Sequence, residues 1–181
     1  GLWWSREPIS SLADLGVVQS TRGYEPSQIT HYLASWVDGA MDWPIPTWPL
    51  EPLEKTELRW ATDVMNQHYL DNLKKWGVSW EQPWDAERIR LQMIDPWKRL
   101  EEMGVSVHVG EFGAYNKTPH KVVLAWLREL MSQWKEAGWG WAMWNFRGGF
   151  GILDSGREDV DYEDFKGHKL DREMLEILKE F

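Results

Sequence analysis

Val105, Val107 and Val109 alternate with Ser106, His108 and Gly110, the period-2 pattern of a β-strand with one apolar face. The same period puts Glu111 on the valine face, so an apolar stripe ends in a carboxylate at the strand's C-terminal end. Gly110 and Gly113 flank Glu111-Phe112. Glycine lets the backbone turn sharply there, or lets another group approach closely. A carboxylate in such a place has to be solvated, paired or chemically employed.

The pattern elsewhere predicts a small set of elements. Gly1–Leu15 is polar and irregular, and no complete element fits it. Val17–Tyr24 reads as a strand that Glu25-Pro26 ends. Val18, Ser20, Arg22 and Tyr24 share a face, so Arg22 and Tyr24 emerge together at its C-terminal end. Gln28–Val37 leads into a long loop carrying Trp36, Trp43 and Trp48, and five prolines between 26 and 52 exclude a long helix. Loops of this length inside a compact domain are usually functional or disordered, and the tryptophans favour function. Lys55–Trp76 has helical spacing, ended by Gly77. Asp85–Met103 is a second helix, and Pro96 within it implies a kink or a break. Thr118 is the expected N-cap of a third helix, with Pro119 at its first position and Gly138 stopping it after Ala137. Gly140–Asn145 is a strand with Gly140, Ala142 and Trp144 on one face and Trp141 and Met143 on the other. A glycine-rich loop, Arg147–Gly156, an acidic loop, Glu158–Asp164, and a closing helix, Asp171–Phe181, complete the chain.

Strands alternating with helices mean α/β organisation: a parallel sheet with right-handed crossovers. Arg22, Tyr24, Glu111 and Trp144 all fall at strand C-terminal ends, where a (β/α)₈ barrel places its chemistry. Three βα units are too few for such a barrel, which typically needs about 250 residues. The 181 residues are read as a single domain, 1–181, in which 36–80 is a long Trp/Pro-rich loop plus an inserted helix.

Composition narrows the chemistry. A net charge of −9 argues against a nucleic-acid-binding surface. No apolar run approaches the roughly 20 residues of a membrane span. There is no cysteine, hence no disulfide framework and no thiolate metal site. The sequence starts at Gly1 rather than Met and shows no signal-peptide pattern, which leaves processing, a tag or truncation open. Fifteen residues are tryptophan. Some will pack in the core, but those in Pro/Gly-rich loops offer flat apolar faces for sugars or bases, and the acidic charge favours sugars.

Three blocks resemble the C-terminal half of glycoside hydrolase family 5, the cellulase-type retaining β-glycosidases built on a (β/α)₈ barrel. Arg22-Gly23-Tyr24-Glu25-Pro26 with Ile29-Thr30-His31-Tyr32 is similar to the family's strand six. Val109-Gly110-Glu111-Phe112-Gly113 is similar to strand seven. Gly140-Trp141-Ala142-Met143-Trp144-Asn145-Phe146 with Gly151-Ile152-Leu153-Asp154 is similar to strand eight. The resemblance spans nearly all of 16–181, with Lys55–Trp76 the exception. It implies a partial TIM barrel, about strands 6–8 with their helices, and retaining hydrolysis of a β-linked glucan. Glu111 would be the nucleophile, Tyr24 would hydrogen-bond it, and Trp144 would floor the subsite of the reacting sugar. Arg22, Trp36, Trp43 and Trp48 are further candidates for substrate binding, the three tryptophans by extension rather than by motif. No metal or cofactor is implied, and export to the periplasm or outside the cell is the weakly favoured location.

Two departures stand out. Where the family usually has His, two residues before the strand-six Tyr, this sequence has Arg22, whose fixed charge could favour an ionised nucleophile or narrow the sugar site. The family's acid/base, the Glu of an Asn-Glu-Pro on strand four, is absent. Arg6-Glu7-Pro8 imitates it but lies too close to Val17 for strand five to fit between. Retaining hydrolysis needs two carboxyls about 5–5.5 Å apart, and only one strong candidate is present. A non-catalytic, glycan-binding or self-assembling half-barrel is therefore the alternative function. Blander alternatives hold for single residues: a salt-bridged Glu111, a packed Tyr24 or Trp144, and an Arg22 that serves only a carboxylate. His108 and Glu111 are three apart and expected on opposite faces, so a metal shared by them is not expected. His31 reads as structural, and Asp161, Glu163 and Asp164 as a solvated acidic loop with calcium as the alternative. Ser20 and Ser35 lack an acyl-transfer context. Open sheet edges and an uncovered inner face predict self-association or pairing with a complementary N-terminal half.

Overall fold

The computed structural model describes residues 8–52, 71, 74, 75, 77–79 and 81–181. Glu7 and nearly all of the helix expected over 55–76 lie outside the described residues. Within them, β1 (Gln19–Gly23), β2 (Val107–Phe112) and β3 (Gly140–Trp141) form one parallel sheet in the order β1-β2-β3. A helical turn, α1 (Ser27–Thr30), follows β1. A composite helix, α2, precedes β2 and runs through Ala86–Ile89, Arg90–Ile94 and Asp95–Glu101. The crossover from β2 to β3 is α3 (His120–Ala137), and α4 (Arg172–Glu180) closes the described chain.

One face of the sheet carries the core. Gln19, Thr21 and Gly23 of β1, Val107, Val109 and Phe112 of β2, and Trp141 of β3 point toward the helices. Trp126, Leu130, Met131 and Trp134 recur along α3 at helical spacing, each no more than 1% exposed, and complete that layer. Phe112 meets Trp134 edge-to-face at 4.9 Å and Trp141 at 5.5 Å. The opposite face is open among the described residues: Val18 is 63% and Trp144 50% exposed, and Ser20, Gly140 and Ala142 are exposed too.

The expected elements that fall among the described residues are present, with physical differences at their ends. Pro96 neither breaks nor ends its helix. Its missing N–H and its ring disturb the preceding turn, and the helix widens there into a π-helical stretch, Arg90–Ile94, whose last turn bonds Asp95 N–H to the Arg90 carbonyl. Thr118 does not cap α3. Its hydroxyl donates instead to the Ile29 carbonyl (2.6 Å), while the His120 N–H is met by the Asp159 carboxylate (2.6 Å) from the acidic loop. Asp171 caps α4 through the Met174 N–H (3.0 Å) and also holds His120 Nε2 (2.8 Å), so one buried carboxylate ties two helices together. The last predicted strand is a two-residue ladder, but Ala142 N–H and Trp144 N–H continue to bond Val109 and Phe112 carbonyls.

The expected acidic loop, Glu158–Asp164, runs at Glu163 into a hairpin that the hydrophobic pattern does not announce: β4 (Glu163–Phe165) and β5 (His168–Leu170). Its two-residue turn is Lys166-Gly167, with φ of 54° and 82°, the left-handed pair that a type I′ turn needs. Glu163 is committed to Arg172 through two hydrogen bonds (2.7 and 2.8 Å). No group of three or more His, Asp or Glu side chains suited to a metal occurs among the described residues.

Candidate active site

The two leading strands present their chemistry through a change of phase. Thr21 pairs with Val109, but Arg22 pairs with Glu111, so Gly110 is an extra residue in β2. Such a bulge shifts the side-chain alternation by one. Val107 and Val109 face the helices, and so does Phe112; Glu111 is turned to the open face with Ser20 and Arg22. This corrects the expectation that Glu111 shares the valine face. It also corrects the expectation that His108 and Glu111 are opposed: His108 pairs with Ser20 and lies on the same open face.

Both glycines around Glu111-Phe112 have a steric reason. A Cβ on Gly110 would lie 2.2 Å from Ser20 Oγ and 2.6 Å from Arg22 Nη1. A Cβ on Gly113 would lie 2.2 Å from the Trp144 carbonyl oxygen. One glycine makes room for the arginine beside Glu111, and the other lets the exits of β2 and β3 touch.

Arg22 Nε stands 3.5 Å from Glu111 Oε2. Its Nη1 donates to Ser20 Oγ (2.9 Å) and the Thr21 carbonyl (3.3 Å). The guanidinium therefore folds back along β1 and serves Glu111 as an ion-pair partner. The Tyr24 phenol faces the Glu111 carboxylate, whose charge acts on it. Burial, then the Glu111 charge, pushes the Tyr24 phenol far above its ordinary value, against a smaller opposing pull from Arg22. The phenol therefore stays protonated at neutral pH, with its O–H available to Glu111. Tyr24 itself is fixed by its backbone: Thr30 Oγ1 donates to its carbonyl (3.0 Å), and Trp126 Nε1 donates to the carbonyl of Glu25 (3.0 Å). The partners of Glu111 among the described residues, Arg22 and Tyr24, include no second carboxyl.

Trp144 stands at the exit of β3, half-exposed on the open face, with its N–H bonded to the Phe112 carbonyl (2.8 Å). The three loop tryptophans separate. Trp36 is 58% exposed. Trp43, in contrast to the expected loop platform, is 5% exposed in a satellite core with Tyr32 and Ala40. Trp48 packs partly buried against the main core. Three rings that the sequence did not mark gather beside the site. His31 lies 5.5 Å from Tyr24 and 5.9 Å from Phe150, and Tyr115 lies 5.6 Å from Phe150. The aromatic letters around Gly113 and Gly149 were the available signal, but only the meeting of three loops makes them neighbours.

The loop after β3 is held by Asp154, whose carboxylate binds Arg147 Nε (2.6 Å), His168 Nδ1 (2.8 Å) and the Lys169 N–H (2.9 Å). The Lys169 N–H first, then His168 and Arg147, holds the Asp154 carboxyl down to about 2. The depressed value makes this latch fully present above the ordinary 3.8 and lost as pH falls through about 2. The Lys169 amide proton shift should accordingly titrate with a midpoint near pH 2. A midpoint near 3.8 would show that the latch is not formed in solution.

No protein-family model matches the chain, and no curated protein matches it. Solved structures do. A glycoside hydrolase matches at 38% identity and a TM-score of 0.75, over 96% of this chain and 44% of its own. CcsZ, the cellulose synthase subunit Z of Clostridioides difficile, matches at 20% identity and 0.55, over 89% of this chain and 40% of its own. Endoglucanase Cel5A from the hyperthermophilic Thermotoga maritima matches at 21% identity and 0.53, over 89% of this chain and 38% of its own. At those identities the latter two bear on the fold alone. The chain spans less than half the length of each, and its α/β fold with a parallel sheet matches TIM-barrel glycoside hydrolases over part of their length.

Proposed function

We propose that this chain is the nucleophile-bearing part, about strands 6–8, of a family 5 retaining β-glucan hydrolase. The observation that carries the reading is Glu111 on the open face, with the Tyr24 phenol facing it and Arg22 paired to it. A carboxylate flanked by a neutral O–H and a pinned cation keeps one oxygen aimed for attack. Glu111 attacks the anomeric carbon; the C1–O bond breaks and its electron pair leaves with the aglycone oxygen. Water then displaces Glu111 from the glycosyl carbon. Trp144 offers an apolar floor to the reacting sugar at the neighbouring strand exit.

The acid/base comes from outside the described residues. The open face, and the edges of β1 and β3 that carry no strand among the described residues, are where further strands would add. Their source is a complementary N-terminal half, or a second copy of this chain.

A substrate whose leaving group needs no acid tests the nucleophile alone. Incubation with 2,4-dinitrophenyl 2-deoxy-2-fluoro-β-cellobioside should release dinitrophenolate in a burst and leave one fluorocellobiosyl group on the peptide containing Glu111. Absence of label together with retained binding of cello-oligosaccharides would replace this reading by the non-catalytic, glycan-binding one.

A further inference from the structure

Arg157 falls between the glycine-rich loop and the acidic loop, and neither pattern accounts for it. With Arg88 it is one of the two buried arginines among the described residues, 3% exposed. A guanidinium taken out of water costs free energy unless its fork is satisfied. Here the fork is turned to backbone rather than to a carboxylate. Nη1 donates to the Thr118 carbonyl (2.7 Å), and Nη2 donates to the carbonyls of Ala114 (2.8 Å) and Tyr115 (3.3 Å). These carbonyls lie in the turn by which the chain leaves β2, just beyond Glu111-Phe112-Gly113. Residues 113–119 belong to neither a strand nor a helix, so their buried carbonyls need donors from elsewhere.

The clamp is itself fixed. The Arg157 N–H donates to the Tyr162 hydroxyl (2.8 Å), which also bonds Ser155 Oγ (2.7 Å). Asn116 Nδ2 donates to the Ser155 carbonyl (2.6 Å). The segment after β2 and the segment after β3 therefore hold each other from both sides. The connection then runs on to β1. The Tyr115 N–H donates to the Thr30 carbonyl (2.9 Å), and Thr30 Oγ1 donates to the Tyr24 carbonyl (3.0 Å). Thr118 Oγ1 meets the Ile29 carbonyl in the same helical turn. One buried guanidinium thus joins the turn that follows Glu111 to the backbone that carries Tyr24.

We infer that Arg157 is a positioning residue, which clamps the Ala114, Tyr115 and Thr118 carbonyls and thereby sets how Glu111 and the Tyr24 phenol face each other. The inference rests on the reading of Glu111 as the nucleophile. Lysine does not replace it, because a single ammonium lacks the planar fork that reaches carbonyls on both sides.

The test makes Arg157→Ala and Arg157→Lys in the full chain and follows labelling by the fluorocellobioside over a range of concentrations. Both variants should label about tenfold or more slowly at saturating reagent, with little change in the concentration that gives half the maximal rate, because orientation rather than binding is lost. Guanidinium at about 50 mM, far below denaturing concentrations, should recover much of the Arg157→Ala rate, and sodium at the same concentration should not. A second readout needs no labelling. Loosening the approach of Glu111 removes part of what holds the Tyr24 phenol protonated, so the Tyr24 ring signals in either variant should titrate closer to the ordinary 10 than in the unmodified chain. Folded variants with the unmodified labelling rate and an unmoved Tyr24 titration overturn the inference. A rate loss that only matches the unfolded fraction from circular dichroism, or failure of both variants to fold, overturns it in favour of a purely structural arginine. An unmodified chain that takes no label removes the nucleophile reading alone, and the Tyr24 titration then decides whether Arg157 positions the pair.

Discussion

Glu111→Gln is expected to abolish covalent labelling by the fluorocellobioside while leaving the fold in place. An amide oxygen is not a nucleophile of comparable strength, and among the described residues no second carboxyl is a partner of Glu111 to substitute for it. The stability change should be roughly 0–1 kcal/mol, because the ion pair with Arg22 is partly solvated on both sides. Tyr24→Phe asks a finer question. It removes the O–H that faces Glu111, and a charge-assisted hydrogen bond made there in the transition state is worth about 1.5–3 kcal/mol, which corresponds to labelling roughly ten- to hundredfold slower. The raised phenol pKa adds a signature. The unmodified chain should lose no labelling rate from Tyr24 ionisation near pH 10, the ordinary phenol value, since the proton is held well above it. Labelling rates from mass spectra across pH, with circular dichroism to verify folding, check all three statements. Labelling of the Glu111→Gln variant would mean that another residue is the nucleophile.

Much of the arrangement was legible because local patterns and strand ends carried it. The valine alternation located β2, the 3.6-residue spacing located α3, and Gly138, at φ 77°, stops that helix where the sequence put its end. Ser20, Arg22 and Tyr24 share a face as period 2 requires. What stayed hidden depends on partners distant in sequence. The bulge at Gly110 exists only in the pairing of β2 with β1, so the reading of β2 alone put Glu111 on the wrong face. Asp159 replaces Thr118 at the start of α3 from 39 residues away. The loop composition around 36–48 could not say which indole would meet core and which solvent; that depends on where Tyr32, Ala40 and Tyr115 arrive. The Lys166-Gly167 hairpin is a different case. Its short glycine turn between Glu163–Phe165 and His168–Leu170 is a local signal, but the acidic residues before it read as a solvated loop.

Trp134→Ala should be the most damaging core substitution among those that leave the candidate site residues untouched, costing about 3–5 kcal/mol. That is a large part of the roughly 5–15 kcal/mol by which domains are stable. The indole is 1% exposed, meets Phe112 at 4.9 Å and fills the space beside Gly23. A Cβ on Gly23 would come within 2.7 Å of Trp134 Cη2 and 2.6 Å of Phe112 Cβ. Gly23→Ala is therefore the same packing approached from the other side: overpacking of about 1–3 kcal/mol against a ring that has nowhere to move. The two substitutions should couple. In a Trp134→Leu background the alanine methyl meets a smaller, more adaptable side chain, so Gly23→Ala should cost less than in the unmodified chain. A coupling energy of roughly 0.5–3 kcal/mol from chemical denaturation of the four proteins would establish that the two residues press on each other, and strict additivity would refute it. This packing matters beyond stability because Gly23 is followed directly by Tyr24. A β1 end pushed off Trp134 carries the phenol away from Glu111, so Gly23→Ala should slow labelling even where the protein remains folded.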